Sequence, residues 1–376
     1  MANTFTTTLP ILTKAAQVVS RESCGILRAV NLDTSPQAVQ VGSPIYIPKA
    51  PVNTTSSYAP SITPTVVDQT ATGVSVTMSL ANKADWHVTA EQAAAMNRGD
   101  ATAMKWFGLQ AEQAMRIVAN TIESYVFGVA RVASSRAIGT AGTTPFASSL
   151  AAASQVAQIL DENGAPASGR SLILNPAANA NLRALFANVA STQDRSTFTA
   201  GVLPEVSGLT PQMSNQIAAV TKGTGASYLI NKTANLAVGD TTIPMDTGSG
   251  TILAGDVFLI GTGGLYYVAK TALAAGSLTI NAPGIYKAAL NNAVVTVQAT
   301  HVQNLAMSRD AVYCCVRAPL QDPDNRVAES TVVVDPISGI PFGVYKQVGD
   351  GLTHYSVRAC YVAVAVEPAH IATLMG

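Results

Sequence analysis

The sequence is short of charge. Lys, Arg, Asp and Glu make up 12% of its 376 residues, about half the usual share, while the apolar fraction of 48% is ordinary. A disordered chain needs the opposite balance, low hydrophobicity with high charge, and is excluded. The 22 basic and 22 acidic residues cancel, so no global field exists to hold nucleic acid or an anionic membrane. Long apolar runs are also missing: the longest, residues 359–366, is strand-sized, against the ~20 residues of a membrane-spanning helix. The opening MANTFTTTLPILTKAAQVV lacks a basic segment followed by a continuous apolar one, which argues against a secretory signal. Cysteine is scarce. Cys24, Cys314, Cys315 and Cys360 contain no CxxC pair, and adjacent Cys314 and Cys315 point to opposite sides of a strand. They read as small buried hydrophobes of a reducing compartment.

The signatures of catalysis are absent in the same way. Neither Gly261-Thr262-Gly263-Gly264 nor Lys222-Gly223-Thr224-Gly225 matches a phosphate-binding fingerprint or sits between a strand and a helix, so both read as strand turns. No GxSxG elbow is present, which argues against a serine hydrolase. His87, His301, His354 and His370 are far apart with no ligand spacing, and no metal or cofactor is expected. His354, beside Tyr355 at a strand start, reads as a structural or interface histidine. Asp322 and Asp324 in QDPDNR read first as a solvated turn or an ion pair between subunits, and only second as a cation site.

What replaces charge is Ala, about one residue in six, with Thr, Ser, Asn and Gly. So little solubilising charge fits an outer surface covered largely by copies of the same chain. Length alone gives a prior of two to three compact units. Residues 1–40 are Thr-rich, then weakly amphipathic at Leu12, Ala15, Ala16 and Val19, an arm expected to pack on something other than a core of its own. Ile45-Tyr46-Ile47-Pro48 and the alternating run 74–80 read as two strands. The Pro-, Ser- and Thr-rich stretch between them, 48–72, is far longer than a hairpin loop and calls for a partner molecule.

The clearest element is a helix over 101–133, with Phe107, Ala111, Ala114, Val118, Ile122, Tyr125, Val129 and Val132 stepping by three and four. Asp100 is its N-cap, Glu112 and Arg116 form an i,i+4 pair, and the helix is roughly 45–50 Å long. A second helix is expected over 148–162, stopping at Asn163-Gly164, then a buried strand over 171–174 and a helix opened by Asn175-Pro176. From Lys222 the helical period disappears. Short strands at 227–231, 241–245, 256–260, 265–269, 277–280 and 293–297 recur between glycine turns, the pattern of a small antiparallel barrel or sandwich. The flanks 216–220 and 304–316 read as one interrupted domain, so 222–300 is taken as an insertion whose removal leaves a foldable core. Strands are expected at 330–334 and 343–349, with one long apolar strand over 352–366.

This order of parts resembles the major capsid (coat) protein of tailed double-stranded DNA phages, of the Hong Kong 97 type. The insertion makes it similar to podovirus coats with an inserted barrel. The resemblance is carried by YIPKAP with VSVTMSLANKADWHV, by MNRGDATAMKWFGLQAEQAMRIVANTIESYVFGVA, by SLILNPAANANLRALF and by HYSVRACYVAVAVEP. It implies an α+β fold divided as follows: 1–41 an N-terminal arm; 42–85 an extended loop; 86–175 the spine helix and first part of the peripheral domain; 176–221 the first part of the apical domain; 222–300 the inserted β-barrel; 301–376 the remainder of the apical domain and a C-terminal peripheral strand. It also implies a structural protein without enzymatic activity, assembled in the host cytoplasm as hexamers and pentamers of an icosahedral virion capsid. The implied partners are the chain itself, a scaffolding protein, a portal at one vertex, packaged double-stranded DNA held by weak non-specific contact, and in some shells a decoration protein, with no membrane. Lys49 and Lys83 bracket the extended loop, and some relatives of this fold crosslink a loop lysine to an asparagine; nothing in this sequence marks such a pair. The alternative is an encapsulin-type compartment shell with the same fold. A glycan-binding β-rich tail protein ranks last because it leaves the helix at 101–133 unexplained.

Overall fold

The computed structural model describes residues 5–20, 25–35, 40–49, 60, 72–189, 203–320, 329–334 and 339–376. Six helices lie among them: α1 Phe5–Ser20, α2 Gly25–Ala29, α3 Ala90–Asn97, α4 Ala101–Ala133, α5 Ala151–Glu162 and α6 Pro176–Val189. The spine helix α4 starts and stops where its sequence signals say. Asp100 accepts from the backbone N–H of Thr102 at 2.8 Å and Ala103 at 3.4 Å, and Arg116 pairs with Glu112 at 3.1 Å. Its buried stripe runs through Phe107, Ala111, Ala114, Met115, Val118, Ala119 and Ile122 and then steps by four, to Val126 and Ala130. The expected Tyr125 and Val129 lie partly buried beside that seam.

Against this stripe packs a six-stranded sheet centred on the long strand Leu352–Ala365. One edge of that strand carries Leu80–Thr89; the other carries Pro341–Val348, followed outward by Glu329–Val334, and then Val312–Arg317, followed by Asn31–Asp33. Alternation puts Tyr355, Val357, Ala359 and Tyr361 on the helix side. There Tyr355 stacks on Trp86 at 5.5 Å between ring centres and meets Phe107 edge-on at 5.1 Å. The strand Leu80–Thr89 runs straight through position 85, where the sequence suggested that the extended loop ends.

A second sheet is continuous over Thr210–Met213, Arg170–Leu174, His301–Ser308, Ile371–Met375 and Arg136–Gly139. Helices α5 and α6 cover it through Val156, Leu160 and Leu182 on Leu172 and Leu174. Helix α5 begins three residues later than expected, and Asn175 opens α6 by accepting from Ala178 N–H at 3.0 Å.

All six strands expected in the insertion are present, at Tyr228–Ile230, Thr242–Asp246, Val257–Ile260, Tyr266–Val268, Ser277–Thr279 and Val294–Val297. They form a half-barrel curl around Ile230, Ile243, Phe258, Tyr267 and Leu278. The curl's two outer strands meet through the bridge between Ala269 and Ile280, the bond from Lys270 N–H to Thr279 O at 2.8 Å and the contact between the Thr271 and Thr279 hydroxyls at 2.5 Å. The stems entering and leaving the insertion pair with each other, Val220 opposite His301. The curl is nevertheless no isolated body: Tyr266–Val268 pairs with Arg136–Gly139, which merges both sheets into twelve strands.

The N-terminal arm corrects the expectation that it needs another molecule. Within this chain α1 lies on α4, and Leu12, Ala15 and Ala16 are buried there, as are Ile26, Leu27 and Val30 just after it. Small residues make this possible. Gly108 of α4 leaves room for Ile11, since a Cβ on it would stand 3.1 Å from the Ile11 Cγ2. A weak amphipathic pattern is enough when the surface it meets is itself alanine- and glycine-rich. The remaining β elements, including Arg136–Gly139 and Ile371–Met375, are short pieces completed only by long-range pairing, and sequence periodicity did not single them out.

Candidate assembly surfaces

One element stands apart from both sheets. Pro44–Lys49 and Thr72–Thr77 pair antiparallel, Ile45 opposite Val76 and Ile47 opposite Val74, and join no other strand among the described residues. The base is closed by Gly42 N–H to Met78 O at 2.8 Å and Met78 N–H to Ser43 O at 3.1 Å. One face sits on the body, with Ile45 and Val76 against Met78, Cys315, Cys360 and Val362. On the other face Tyr46 is 58% exposed. Lys49 reaches Glu367 at 2.7 Å and pins the far end. A two-stranded hairpin is marginal in water by itself, so the uncovered face asks for a neighbour. Residues 50–59 and 61–71, the bulk of the excursion between its strands, lie outside the described residues.

Further exposed apolar side chains fall into sets. Val332 and Val334 project from Glu329–Val334, the outermost strand on that side of the first sheet, and Val348 and Leu352 flank the turn next to it. Leu109 and Ile117 project from the outer side of α4. A groove of about 480 Å³ runs between α1 and α4, its mainly apolar lining of Pro10, Ile11, Met104, Gly108 and Leu109 completed by Lys14, Lys105 and Glu112. Exposed apolar side chains gathered in such sets on a charge-poor chain are the material of protein–protein contact.

The charged groups that are buried serve joints inside the chain. At the end of α4, Arg136 donates to Glu162 at 2.7 Å and lies 4.2 Å over the ring of Tyr286. Burial pushes the Glu162 carboxyl up, and hydrogen bonds from Arg136 and Gln158 more than reverse it, leaving it below its usual value. Asn281 of the insertion donates to Val132 O at 2.8 Å and Ser134 O at 3.2 Å. Beside it, Arg131 packs flat against Gly255, where a Cβ would fall 2.3 Å from Nη1. Burial lowers the Arg131 guanidinium, against the pull of Asp256. The His301 ring is also lowered by burial, opposed by Ala299 O and Asp256 and assisted by Arg131. Its Nδ1 donates to Ala299 O at 2.6 Å, which leaves Nε2 to accept from Gln303 at 3.3 Å, and Gln303 also donates to Gly255 O at 2.9 Å. Elsewhere Arg170 donates to Asp161 at 2.6 Å, and buried Lys346 sits 3.5 Å from Glu329. Burial, with Glu329 nearby, raises Tyr355 to about 12. Among the described buried charged groups Glu123, set between apolar Ile122 and Val126 and accepting from Ile26 N–H at 3.0 Å, leaves a mark in the sequence: a charge inside an apolar stripe.

The residues weighed in the sequence fall as follows. Cys314 faces the main core and Cys315 the cluster under the hairpin, where Cys360 lies too; all three are buried free thiols. Burial raises each of them, Cys315 to about 12. Thiolates are not accessible here, which suits structural packing. Gly261 and Gly264 have positive φ in the turn joining Val257–Ile260 to Tyr266–Val268. Lys83 pairs with Asp85 at 2.7 Å. Cys24, Asp322 and Asp324 lie outside the described residues. His87 and His354, 267 positions apart in sequence, are placed directly opposite each other by strand register. Spacing along the chain could not reveal that. Among the described residues no helix is long and apolar enough to cross a membrane.

No family model and no curated protein matches the chain. Solved structures do resemble it. A chain of Mycobacterium phage Che8 is 11% identical with a TM-score of 0.44, over 89% of this chain and 84% of that one. The mature capsid of bacteriophage PhiM1 is 9% identical with a TM-score of 0.45, over 93% and 86%. The holo-SrpI encapsulin complex of Synechococcus elongatus PCC 7942 is 10% identical with a TM-score of 0.41, over 94% and 86%.

Proposed function

We propose that this chain is a structural subunit of a closed protein shell, a capsid protein that assembles with copies of itself and catalyses no reaction. The carrying observation is the hairpin of Pro44–Lys49 and Thr72–Thr77, which pairs with no other strand among the described residues and presents Tyr46 outward. The order of parts agrees with the α+β plan implied by the sequence resemblance: arm, hairpin, spine helix, second sheet, interrupting curl and final long strand. A chain with only 12% charged residues and exposed apolar side chains on the hairpin, the outer strand and the spine supports extensive burial between subunits. Tiling a shell needs a rigid body with adjustable projections, and many weak contacts then add up by multivalency.

In the finer reading the shell is an icosahedral virion of hexamers and pentamers. A scaffolding protein and a portal take part in its assembly in the host cytoplasm, and it encloses double-stranded DNA. Balanced charge, 22 basic against 22 acidic residues, fits a wall that contains DNA without gripping it. The division at 41, 85, 175, 221 and 300 is part of the same proposal. Negative-stain microscopy and sedimentation of the full chain, expressed with and without its scaffold, test it. Capsomers or closed particles are expected; a chain that stays monomeric under both conditions overturns the reading.

A further inference from the structure

His87 and His354 meet on the face of the first sheet turned away from α4, beyond the part that the hairpin covers at Cys360 and Val362. Leu80–Thr89 and Leu352–Ala365 pair so that His87 is the register partner of His354, and Pro341–Val348 sets Gln347 opposite His354 on its other side. The three side chains form one row across three strands. His87 and Gln347 are exposed and His354 is half-buried. None of the three side chains makes a hydrogen bond or ion pair with another described residue. Their donor atoms are therefore available.

Opposed residues of neighbouring antiparallel strands hold their Cβ atoms about 4.5–5.5 Å apart. That separation lets each imidazole turn one nitrogen to a common ion at about 2.0–2.1 Å. The nearby positive charges on this face are occupied elsewhere. Lys83 is held by Asp85 at 2.7 Å, and Arg358 donates to Ser356 at 2.9 Å while lying 4.5 Å over the Tyr345 ring. The other two described histidines offer no such pair: His301 is buried with both ring nitrogens engaged, and His370 lies in the turn Pro368–His370.

We propose that His87 and His354, with Gln347 beside them, form a surface chelate for a divalent transition-metal ion that favours imidazole, Zn²⁺, Ni²⁺ or Cu²⁺ rather than Mg²⁺ or Ca²⁺. The two nitrogens supply the binding, and water or the Gln347 amide oxygen completes the coordination. The site does not depend on shell formation.

Titration calorimetry of the full chain with ZnCl₂, and electron paramagnetic resonance with CuCl₂, decide it. The expected result is one ion per chain and a Cu²⁺ spectrum with two equatorial nitrogens. His87→Ala and His354→Ala each lower the affinity about tenfold or more, their combination removes the site, and His370→Ala leaves it intact. Because His87 and His354 are on the surface, the metal-free melting temperature of each single variant should stay near wild type, which separates loss of binding from loss of fold. Absence of a Zn²⁺ isotherm, or affinities unchanged in both single variants, overturns the proposal.

Discussion

The side-chain amide of Asn281, deep in the insertion, donates to the backbone carbonyl of Val132 at 2.8 Å and to that of Ser134 at 3.2 Å. The last carbonyls of a helix have no partner within it, and here another segment 149 residues along supplies one. The insertion thus finishes the spine helix. Asn281→Ala leaves these carbonyls short of a donor at a site where Asn281 is only 3% exposed, a loss of about 1–3 kcal/mol. Asn281→Asp should be worse, because it sets an acceptor against acceptors. Urea unfolding of the two variants gives the order, and equal midpoints for Asp and wild type would contradict the capping role.

Removing residues 222–300 is a stronger test of the same joint. Pairing of Val220 with His301 means that the stems already meet, so the gap can be closed without stretching the chain. What is lost lies on the other side. Arg136–Gly139 loses its neighbour Tyr266–Val268, Arg136 loses the Tyr286 ring, and α4 loses Asn281. The deletion should yield a chain with native-like circular dichroism but a melting temperature below that of Asn281→Ala. A deletion variant as stable as wild type would show that the contacts at the end of α4 carry little.

Helix α4 offers a matched pair on adjacent positions. Val118 is 1% exposed and Ile117 is 49% exposed. Val118→Asp buries a carboxylate with no cation beside it, a cost of several kcal/mol, and should abolish soluble folded protein. Ile117→Asp, about 100° round the helix and exposed, should fold normally. If Ile117 lies in an intersubunit contact, it should instead reduce particle yield in the microscopy assay. Soluble yield and particle counts together separate core from interface.

How far the sequence was legible depended on whether an element's partner lay within reach of its own pattern. Helix α4 declares itself, because Asp100, the Glu112–Arg116 pair and the apolar steps are all local. The insertion's strands were equally plain, since glycine turns separate each from the next. Arg136–Gly139 and Ile371–Met375 were not, for they are four and five residues long and exist only by pairing with each other and with strands far away. The arm failed for a subtler reason. Leu12, Ala15 and Ala16 look too slight to seat a helix until Gly108 is seen opposite Ile11. The pairing of His87 with His354 belongs to the same class, since register is a property of two strands and neither shows it alone.

The pH dependence of folding should report on the same joint through His301. Burial holds its ring below the ordinary value of 6.5, with Arg131 adding to the effect and Ala299 O and Asp256 opposing it. A lowered folded-state value means that, below the ordinary value, the unfolded chain binds a proton that the folded chain refuses. Stability then rises with pH wherever the unfolded state holds more protons. Well above 6.5 the ring is neutral in both states and costs nothing; as pH falls through 6.5 and below, folding is progressively penalised. Glu162 acts in the same sense but at more acid pH, because its depressed carboxyl stabilises the fold until pH drops through its folded-state value. Urea midpoints measured from pH 7.5 to pH 5 should therefore decline for the wild type. His301→Gln keeps one donor for Ala299 O and one acceptor for Gln303 but cannot be protonated, so its midpoints should be flatter over that interval. A decline of the same slope in His301→Gln would place the titrating group elsewhere and leave the Arg131–Asp256–His301 cluster without a part in acid sensitivity.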